Sequence, residues 1–284
     1  MSESPRIVII KEDYVPPTPE EESMRALDPA IWRSGVWLDT QRRRGRYPYA
    51  PSKKIAYNPT AILAAIYPKT IVEVTEEDSI VAAARLRTAG LNPCVLNFAD
   101  DIDAGGCVDA GSRAQEESLW RRTNLFETQV DSFYPLAHDP PEAVYTPAAT
   151  VFKDTEAAGC VDLAAPFQLA FIAMPGIKYP ITHHDNLTGE DANILRRKIT
   201  TIFQIAKANH HDALILGPLG CGAWNNPPAH VAAIFRELVA LYDGVFRHIT
   251  FGCLTPTATN HTTTCAGYVN NYEIFKQTLS KAWH

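Results

Sequence analysis

Long apolar runs are missing from this chain, and so are the short motifs that mark several common activities. No window of its 284 residues holds the roughly 18 apolar residues that a membrane span requires, and the amino terminus lacks the charged-then-apolar layout of a secretory signal. We therefore expect no membrane contact. The sequence has no Gly-Lys-Ser/Thr of a Walker loop, no GxGxxG and no HExxH. ATP chemistry, a Rossmann-type dinucleotide site and a catalytic zinc ion are accordingly disfavoured.

Paired cysteine motifs and positive charge are both scarce. The six cysteines form no CxxC pair, so we interpret them as free thiols of a reducing compartment, the cytoplasm or the nucleus. The net charge of −6 argues against general nucleic-acid binding, which depends on a basic surface. The one basic run, Arg42–Arg46, is either a solvated face or a contact for an anionic polymer. The cysteines are Cys94, Cys107, Cys160, Cys221, Cys253 and Cys265.

The composition is otherwise that of a globular protein with a sizeable core, at 46% hydrophobic and 20% charged residues. Residues 1–28 are rich in proline and glutamate and are predicted to form an arm, with Arg6–Ile10 as a short strand. No repeat or long linker interrupts the rest. We therefore expect a single domain over residues 29–284, which begins with a helical extension and acts as a monomer.

Apolar segments of strand length alternate with helical patterns from residue 70 onward. This alternation predicts an α/β sandwich with a largely parallel or mixed central sheet, in which ligands bind past the carboxyl ends of the strands. The predicted strands are Ile71–Val74, Cys94–Phe98, Leu169–Met174, Ala213–Leu216 and Phe246–Leu254. The predicted helices are Glu77–Ala89, one that begins near Ala114, Leu187–Ala208, Ala229–Leu241 and Asn271–Leu279.

Two glycine-rich loops each follow a predicted buried strand. Loop 1 (Asp100–Ser112) contains the pair Gly105–Gly106, and loop 2 (Gly217–Pro228) contains Gly220 and Gly222. Because glycine has no Cβ, the backbone can approach a phosphate closely, and a helix that follows favours an anion at its amino terminus. Either loop alone is equally well explained as a connection that needs glycine for its geometry. Together they predict a diphosphate held from both sides.

Two adjacent carboxylates lie in the first turn of the helix predicted after loop 1. Glu116 and Glu117 would point about 100° apart on a helix, so they cannot flank one bond as the paired carboxylates of most glycosidases do. One is then the working acid and the other a positioning group, or else both simply complement the helix dipole. An acid beside a loop for anions indicates, as substrate, a phosphate-linked sugar whose glycosidic bond is cut.

Other side chains in the loops leave alternatives open. Trp224 in loop 2 suits stacking on a sugar or base, and anchoring in the core explains it equally well. Cys107 and Cys221 both stand in glycine loops near helix starts, where the pKa of a thiol falls. A cysteine nucleophile is the disfavoured interpretation, because no histidine adjoins either of them.

The residues around loop 1 match a known family pattern. Asn97-Phe98-Ala99 ends a strand, Gly105-Gly106-Cys107 follows, and after seven residues comes Gln115-Glu116-Glu117. This arrangement resembles the microbial-type poly(ADP-ribose) glycohydrolases, a branch of the macrodomain superfamily that has three glycines, a short spacer and Gln-Glu-Glu after such a strand. The likeness covers roughly Thr70–Leu279 and includes SLWRRTNLF after the glutamates and LILGPLGCGAWNNPPAHVA around loop 2. Cys107 stands where the family has its third glycine.

The resemblance implies a macrodomain-like three-layer α/β/α sandwich with a mixed central sheet, and no metal or other cofactor. It implies that Glu117 is the catalytic acid, which protonates the leaving oxygen at C1 of the distal ribose and then activates water. Glu116 would hold ribose hydroxyls, and Gln115 would support loop 1. The expected substrate-binding residues are Asn97, Asp100, Asp103, Gly105, Gly106 and Cys107 on the loop 1 side, and Gly220, Cys221, Gly222, Ala223 and Trp224 over the diphosphate.

The function that the resemblance implies is hydrolysis of the ribose–ribose O-glycosidic bonds of poly(ADP-ribose), with release of ADP-ribose. One alternative is the same chemistry on a single ADP-ribose attached to a protein or nucleic acid. Another is a non-catalytic module that binds ADP-ribose and uses the glutamates structurally. The intact Gln-Glu-Glu favours an enzyme, since binding alone requires no acid. The expected partners are ADP-ribose, ADP-ribosylated proteins and the polymer.

Overall fold

The computed structural model describes residues 28–254 and 270–280, together with Ser23. The predicted arm at residues 1–28, with its strand at Arg6–Ile10, lies outside the described residues except for Ser23 and Asp28. Cys265 also lies outside them. No helix in the described part of the chain is long and apolar enough to cross a membrane.

A seven-stranded sheet forms the centre of the fold, with the strand order β1-β4-β5-β3-β8-β9-β2. The five neighbours from β5 to β2 are parallel, whereas β4 is antiparallel to both β5 and β1. A separate two-stranded hairpin is made by β6 and β7. The strands are β1 Lys53–Ala56, β2 Ile71–Thr75, β3 Pro93–Asn97, β4 Glu142–Lys153, β5 Asp162–Ala173, β6 Thr182–His183, β7 Asn186–Leu187, β8 Ala213–Leu216 and β9 His248–Gly252.

Helices cover both faces of this sheet. Along β3, Cys94 and Leu96 pack into one buried cluster with α4, α5 and α6, and Val95 packs into another with α1, α2 and α3, because alternate side chains of a strand point to opposite faces. The helices are α1 Pro29–Gln41, α2 Ser79–Thr88, α3 Gln115–Arg122, α4 Gly189–Ala208, α5 Pro228–Leu241 and α6 Asn271–Leu279. The predicted three-layer α/β/α sandwich with a mixed sheet is confirmed.

Several predicted boundaries were wrong. The helix predicted at Leu187–Ala208 begins at Gly189, because Leu187 pairs in β7 and the Thr188 hydroxyl caps the helix by accepting the N–H of Asp191. Helix α2 begins at Ser79 rather than at Glu77, because the Asp78 carboxylate caps it by accepting the N–H groups of Ile80 (2.9 Å) and Val81 (3.2 Å). The predicted strand Phe246–Leu254 is shorter in the structure, where β9 spans His248–Gly252.

The largest miss concerns the antiparallel side of the sheet. The sequence predicted a strand only at Leu169–Met174, but β5 is twelve residues long and pairs with β4, which was not predicted at all. Strand β4 contains Pro147, which has no N–H for a sheet hydrogen bond and argues against a strand in a sequence. The register shifts between Thr146 and Ala149, so the proline sits at a bulge, where it is tolerated.

Helix α1 packs against the end of loop 1. Trp37 Nε1 donates to the Asp109 carboxylate, Ser34 Oγ donates to the Asp109 carbonyl at 3.0 Å, and Arg33 Nε donates to the Gly111 carbonyl. A Cβ at Gly111 would lie 2.1 Å from the Ala30 carbonyl oxygen, so only glycine permits this approach. These contacts of helix α1 thus hold the end of loop 1 in place.

Candidate active site

Both glycine-rich loops lie at the same edge of the sheet. Loop 1 follows β3 and loop 2 follows β8, and these two strands are adjacent and parallel. Their carboxyl ends therefore meet, as the sequence predicted for a ligand cleft. Strand β5 is the parallel neighbour of β3 on its other side, so the chain that follows β5 borders the same cleft.

The two glycines of loop 1 have left-handed backbones and tight surroundings. Gly105 has φ +83°, and a Cβ there would lie 2.5 Å from the ring of Trp120. Gly106 has φ +56°, and a Cβ there would lie 2.8 Å from Oε1 of Glu117. Both positions require glycine. Cys107, by contrast, has φ −97° and an exposed side chain, so the third position of the pattern accepts an ordinary residue.

Glu117 lies buried beneath loop 1, with 6% of its surface exposed. Its Oε1 accepts the backbone N–H of Cys107 at 3.1 Å. Its Oε2 is buried and has no hydrogen-bond partner among the described residues. A buried carboxyl oxygen without a partner is unfavourable, so Oε2 remains available to a hydrogen-bond donor that enters the cleft.

Glu116 is also buried, at 2% exposure, but both of its oxygens are engaged. Oε1 accepts Asn97 Nδ2 at 3.1 Å, and Oε2 accepts the backbone N–H of Asp100 at 2.6 Å. Burial raises the pKa of Glu116 well above its ordinary value. The two hydrogen bonds lower this pKa in part, whereas the negative charges of Glu117 and Asp100 raise it further. Each oxygen keeps a lone pair for one further donor. The Oδ1 atom of Asn97 is buried and unpaired within the described chain.

Gln115 ties the start of α3 to the end of β3. Its Oε1 accepts the N–H of Phe98 at 2.9 Å, while Nε2 donates to the Leu96 carbonyl at 2.7 Å and to Ser79 Oγ at 3.1 Å. These contacts are what a loop-supporting role requires. Asp100 organises the loop itself, because its Oδ1 accepts the N–H groups of Ile102 (2.8 Å) and Asp103 (3.0 Å). The Asp103 side chain is exposed at the rim.

Loop 2 is held by a residue that the sequence analysis missed. Asn226 is 1% exposed, and its Nδ2 donates to the carbonyls of Ile177 (2.6 Å), Gly220 (3.0 Å) and Trp224 (3.4 Å). Gly220 has φ +74° and no room for a Cβ beside this amide. Cys221 is half-buried. A buried amide has no signature in the polar run Asn-Asn-Pro-Pro, and only its contacts identify it.

Trp224 is half-buried and belongs to none of the buried clusters of the described core. A Cβ placed on Gly176 would be 3.5 Å from its ring, so the ring covers the chain after β5. The structure therefore does not support the alternative in which Trp224 is a core anchor. Gly222 and Ala223 beside it are exposed at the mouth of the cleft.

Two further residues at the cleft went unnoticed in the sequence. Lys178, in the chain after β5, donates to Asp101 Oδ1 at 2.8 Å and to Asp100 Oδ2 at 3.4 Å. The Tyr134 hydroxyl is buried without a partner among the described residues. Burial raises the pKa of Tyr134, and the nearby charges of Glu116 and Asp100 raise it further. Both residues lie outside the glycine-rich loops, where no pattern drew attention to them.

Neither cysteine of the loops has the lowered thiol pKa that a nucleophile requires, which agrees with the sequence-based preference against a cysteine nucleophile. Partial desolvation raises the pKa of the exposed Cys107 thiol, and the charges of Glu117, Asp100 and Asp103 raise it further. Burial also raises the pKa of Cys221 well above its ordinary value. The carboxylates near Cys107 and the burial of Cys221 disfavour both thiolates, so the structure does not support a cysteine nucleophile. Within the described ranges, no three His, Cys, Asp or Glu side chains are grouped so that they could hold a metal ion.

This chain is similar to known proteins both in sequence and in fold. The family model of the microbial-type PARG catalytic domain matches residues 40–154. The structure of poly(ADP-ribose) glycohydrolase from Thermomonospora curvata is similar with a TM-score of 0.72 and 25% identity, and the match covers 87% of this chain and 99% of that one. The same enzyme bound to the inhibitor ADP-HPD gives a TM-score of 0.70 at 26% identity, over 86% and 98% of the two chains.

A glycohydrolase from Deinococcus radiodurans in complex with ADP-ribose shares the fold, with a TM-score of 0.61 and 24% identity over 93% of this chain and 98% of that one. No curated protein matches the chain significantly. The family match and the solved structures confirm that this chain resembles the microbial-type poly(ADP-ribose) glycohydrolases in both sequence and fold.

Proposed function

We propose that this protein is a glycosidase that hydrolyses the ribose–ribose O-glycosidic bonds of poly(ADP-ribose) from the chain end and releases ADP-ribose, with Glu117 as its single general acid and base. The observation that carries the proposal is Oε2 of Glu117, which is buried under a glycine loop at the carboxyl ends of β3 and β8 and has no partner among the described residues. The similar structures support the substrate, since they include poly(ADP-ribose) glycohydrolases bound to ADP-ribose and to ADP-HPD.

The proposed reaction begins with proton transfer. The carboxylic acid of Glu117 donates its proton to the leaving oxygen as the bond between that oxygen and C1 of the distal ribose breaks. Positive charge develops at C1, and the carboxylate left on Glu117 stabilises it. Water then adds to C1 and gives a proton back to Glu117, which restores the acid. Loop 1 fixes the carboxyl group for both steps, because the N–H of Cys107 holds Oε1.

The second glutamate has a different task. Both oxygens of Glu116 accept N–H donors from the strand end and from loop 1, so this side chain sets the loop geometry and presents its remaining lone pairs to ribose hydroxyls. The diphosphate is held between the loops, which positions C1 over Glu117. The two adjacent glutamates thus divide the work between proton transfer and positioning.

A matched pair of variants tests this division. Glu117→Gln keeps an amide oxygen for the Cys107 N–H and should retain ADP-ribose binding, while release of ADP-ribose from labelled polymer falls by roughly 10²–10⁴-fold. Glu116→Gln places an NH₂ group against an N–H donor. It should therefore lower the free energy of unfolding by about 1–3 kcal/mol. Turnover that survives in Glu117→Gln would contradict the proposal.

The substrate is tested in the same assay. Labelled poly(ADP-ribose) and mono-ADP-ribosylated protein are incubated separately with the wild-type chain. Release from the polymer is the expected result. Release only from the mono-ADP-ribosylated protein would show a mono-ADP-ribosyl hydrolase, and binding without release from either would show a non-catalytic module.

A further inference from the structure

Neither glycine-rich loop contains a basic residue. Loop 1 instead carries four aspartates (Asp100, Asp101, Asp103 and Asp109), and loop 2 has no lysine, arginine or histidine. Pro227 and Pro228, which begin the helix after loop 2, have no N–H to donate. The loops therefore offer a diphosphate backbone N–H groups but no positive charge, which can come only from another part of the chain.

Lys178 brings a cation to both loops. Its Nζ lies 2.8 Å from Asp101 Oδ1 and 3.4 Å from Asp100 Oδ2 on the loop 1 side. The same atom lies 5.3 Å from the ring centroid of Trp224 in loop 2, within the range of a cation–π contact. The ammonium group thus sits between the acidic start of loop 1 and the aromatic residue of loop 2.

The backbone of Lys178 is fixed on loop 2. The carbonyl of Ile177 accepts Nδ2 of Asn226 at 2.6 Å, and a Cβ on Gly176 would lie 2.8 Å from the Cα of Gly220. The segment after β5 and loop 2 are therefore in direct backbone contact. The backbone next to Lys178 is therefore packed on loop 2, while its ammonium group contacts the aspartates of loop 1. Lys178 thus links the two loops.

The present carboxylate partners leave Lys178 able to bind an anion. An ammonium carries three donors, and these two carboxylates accept two of them, the one on Asp100 through a long contact. Asp101 also contacts Nε2 of His138 at 3.1 Å, so it keeps a partner when Lys178 moves. The side chain of Lys178 is 36% exposed, so a ligand can reach it.

We propose that Lys178 is a positioning residue that binds the diphosphate of the ligand and holds Trp224 over it. This inference rests on the proposed function, because it requires a diphosphate between the loops. The competing explanation is a surface ion pair that merely steadies loop 1. Such pairs contribute little to stability and give no dependence of ligand affinity on Lys178.

Charge-removing and charge-keeping variants separate these explanations. Titration calorimetry with ADP-ribose is carried out at low and at high salt on wild-type protein, Lys178→Met, Lys178→Gln and Lys178→Arg. Loss of the charge should weaken binding about tenfold at low salt, the scale of a hydrogen bond to a charged group. The loss should shrink at high salt, because salt screens the contact in the wild type. Lys178→Arg should restore affinity to within about threefold of wild type.

Lys207→Met is the matched control. Lys207 lies in the last turn of α4, just before β8 begins, at the opposite edge of the sheet from the cleft. The same loss of one positive charge there should leave ADP-ribose affinity unchanged. Equal losses in both variants would show an effect of net charge alone and would overturn the assignment to Lys178.

The outcomes also separate this inference from the proposed function. If wild-type protein binds ADP-ribose and the two neutral variants bind it equally well at both salt concentrations, the role of Lys178 is overturned while the proposed function stands. If wild-type protein does not bind ADP-ribose, the proposed function is overturned and the role of Lys178 with it. Thermal unfolding of each variant establishes that the protein is folded under the assay conditions.

Discussion

The two glycine-rich loops border one cleft, but different kinds of contact hold them in place. Loop 1 is fixed by carboxylates, since Glu116 accepts the N–H of Asp100 and Glu117 accepts the N–H of Cys107. Loop 2 is fixed by one buried amide, Asn226, which donates to three carbonyls. Changes in loop 1 should therefore alter the chemistry, whereas changes in loop 2 should alter how tightly the ligand is covered.

The largest difference between the two loops is expected when a methyl group is added to each of them. Gly106→Ala places a Cβ 2.8 Å from Oε1 of Glu117 at a positive φ, so the acid or the loop must shift. A displacement on the order of 1 Å at a reacting group reduces turnover by about a hundredfold. In Gly222→Ala the new Cβ meets nothing within 4 Å. Its free energy of unfolding should stay within about 0.5 kcal/mol of wild type. Equal catalytic losses in the two variants would contradict the comparison.

Loop 1 also differs from loop 2 in having a buried amine, that of Lys198, close to it. Lys198 of α4 is fully buried, and its Nζ has no hydrogen-bond partner in the described part of the chain. Burial lowers its pKa to about 7, with only partial compensation from Asp101. The unfolded chain binds the proton up to a pKa near 10.5, so wild-type stability should rise between pH 7 and pH 10.5.

Lys198→Met removes this buried amine. It should stabilise the fold by about 1–4 kcal/mol at and below pH 7, and the gain should fade as the pH approaches the unfolded-state value. Denaturant unfolding of both proteins at several pH values measures it. A gain that grows with rising pH would have the wrong sign and would reject the account of Lys198.

Loop 2 is tested through its buried amide, Asn226. Asn226→Ala leaves buried carbonyls without a donor, so the free energy of unfolding should fall by about 1–3 kcal/mol. ADP-ribose affinity should fall as well, because the loop no longer holds its shape. Asn226→Asp preserves the side-chain shape but turns a carboxylate toward those carbonyls, and it should be at least as damaging. A well-tolerated Asn226→Asp would show that shape rather than hydrogen bonding holds loop 2.

Substitutions of Trp224 measure how much its ring contributes to ligand affinity. Trp224→Ala should weaken ADP-ribose binding by about 1–2 kcal/mol, the scale of an aromatic stack, without changing turnover at saturating substrate. Trp224→Phe keeps an aromatic face and should recover most of that affinity. An unchanged calorimetric affinity in the alanine variant would show that the ring does not contact the ligand.

The smallest effect is expected at the position that departs from the family pattern. Cys107 has a negative φ and an exposed side chain, and its contribution to Glu117 comes from its backbone N–H. Cys107→Gly should therefore preserve turnover of polymer or raise it slightly. A marked loss of turnover would give the thiol a role of its own.

The sequence predicted the parts of this fold that depend on local pattern. Strand β8 was placed at its observed bounds, since four consecutive apolar residues before a glycine loop indicate a buried parallel strand. The different directions of Glu116 and Glu117 followed from helical geometry alone. Strand β4 was not predicted, because a sequence does not show that Pro147 lies at a β-bulge, where no sheet hydrogen bond is required of it.

The residues that join the two loops could not be predicted in this way. Asn226 and Lys178 act through partners that are distant in sequence, 49 positions away for the Ile177 carbonyl and 77 positions away for Asp101. Their importance depends on β5, β3 and β8 being neighbours in the sheet. Strand order is a property of the folded chain, so a polar residue after one strand gives no local sign of the loop that it will meet.

A crystal structure with ADP-ribose bound tests the central claim most directly. We expect the diphosphate between loops 1 and 2, and an oxygen of Glu117 within about 2.6–3.2 Å of the oxygen on C1 of the distal ribose. A carboxyl group turned away from that carbon, or a ligand bound outside the two loops, would contradict the account.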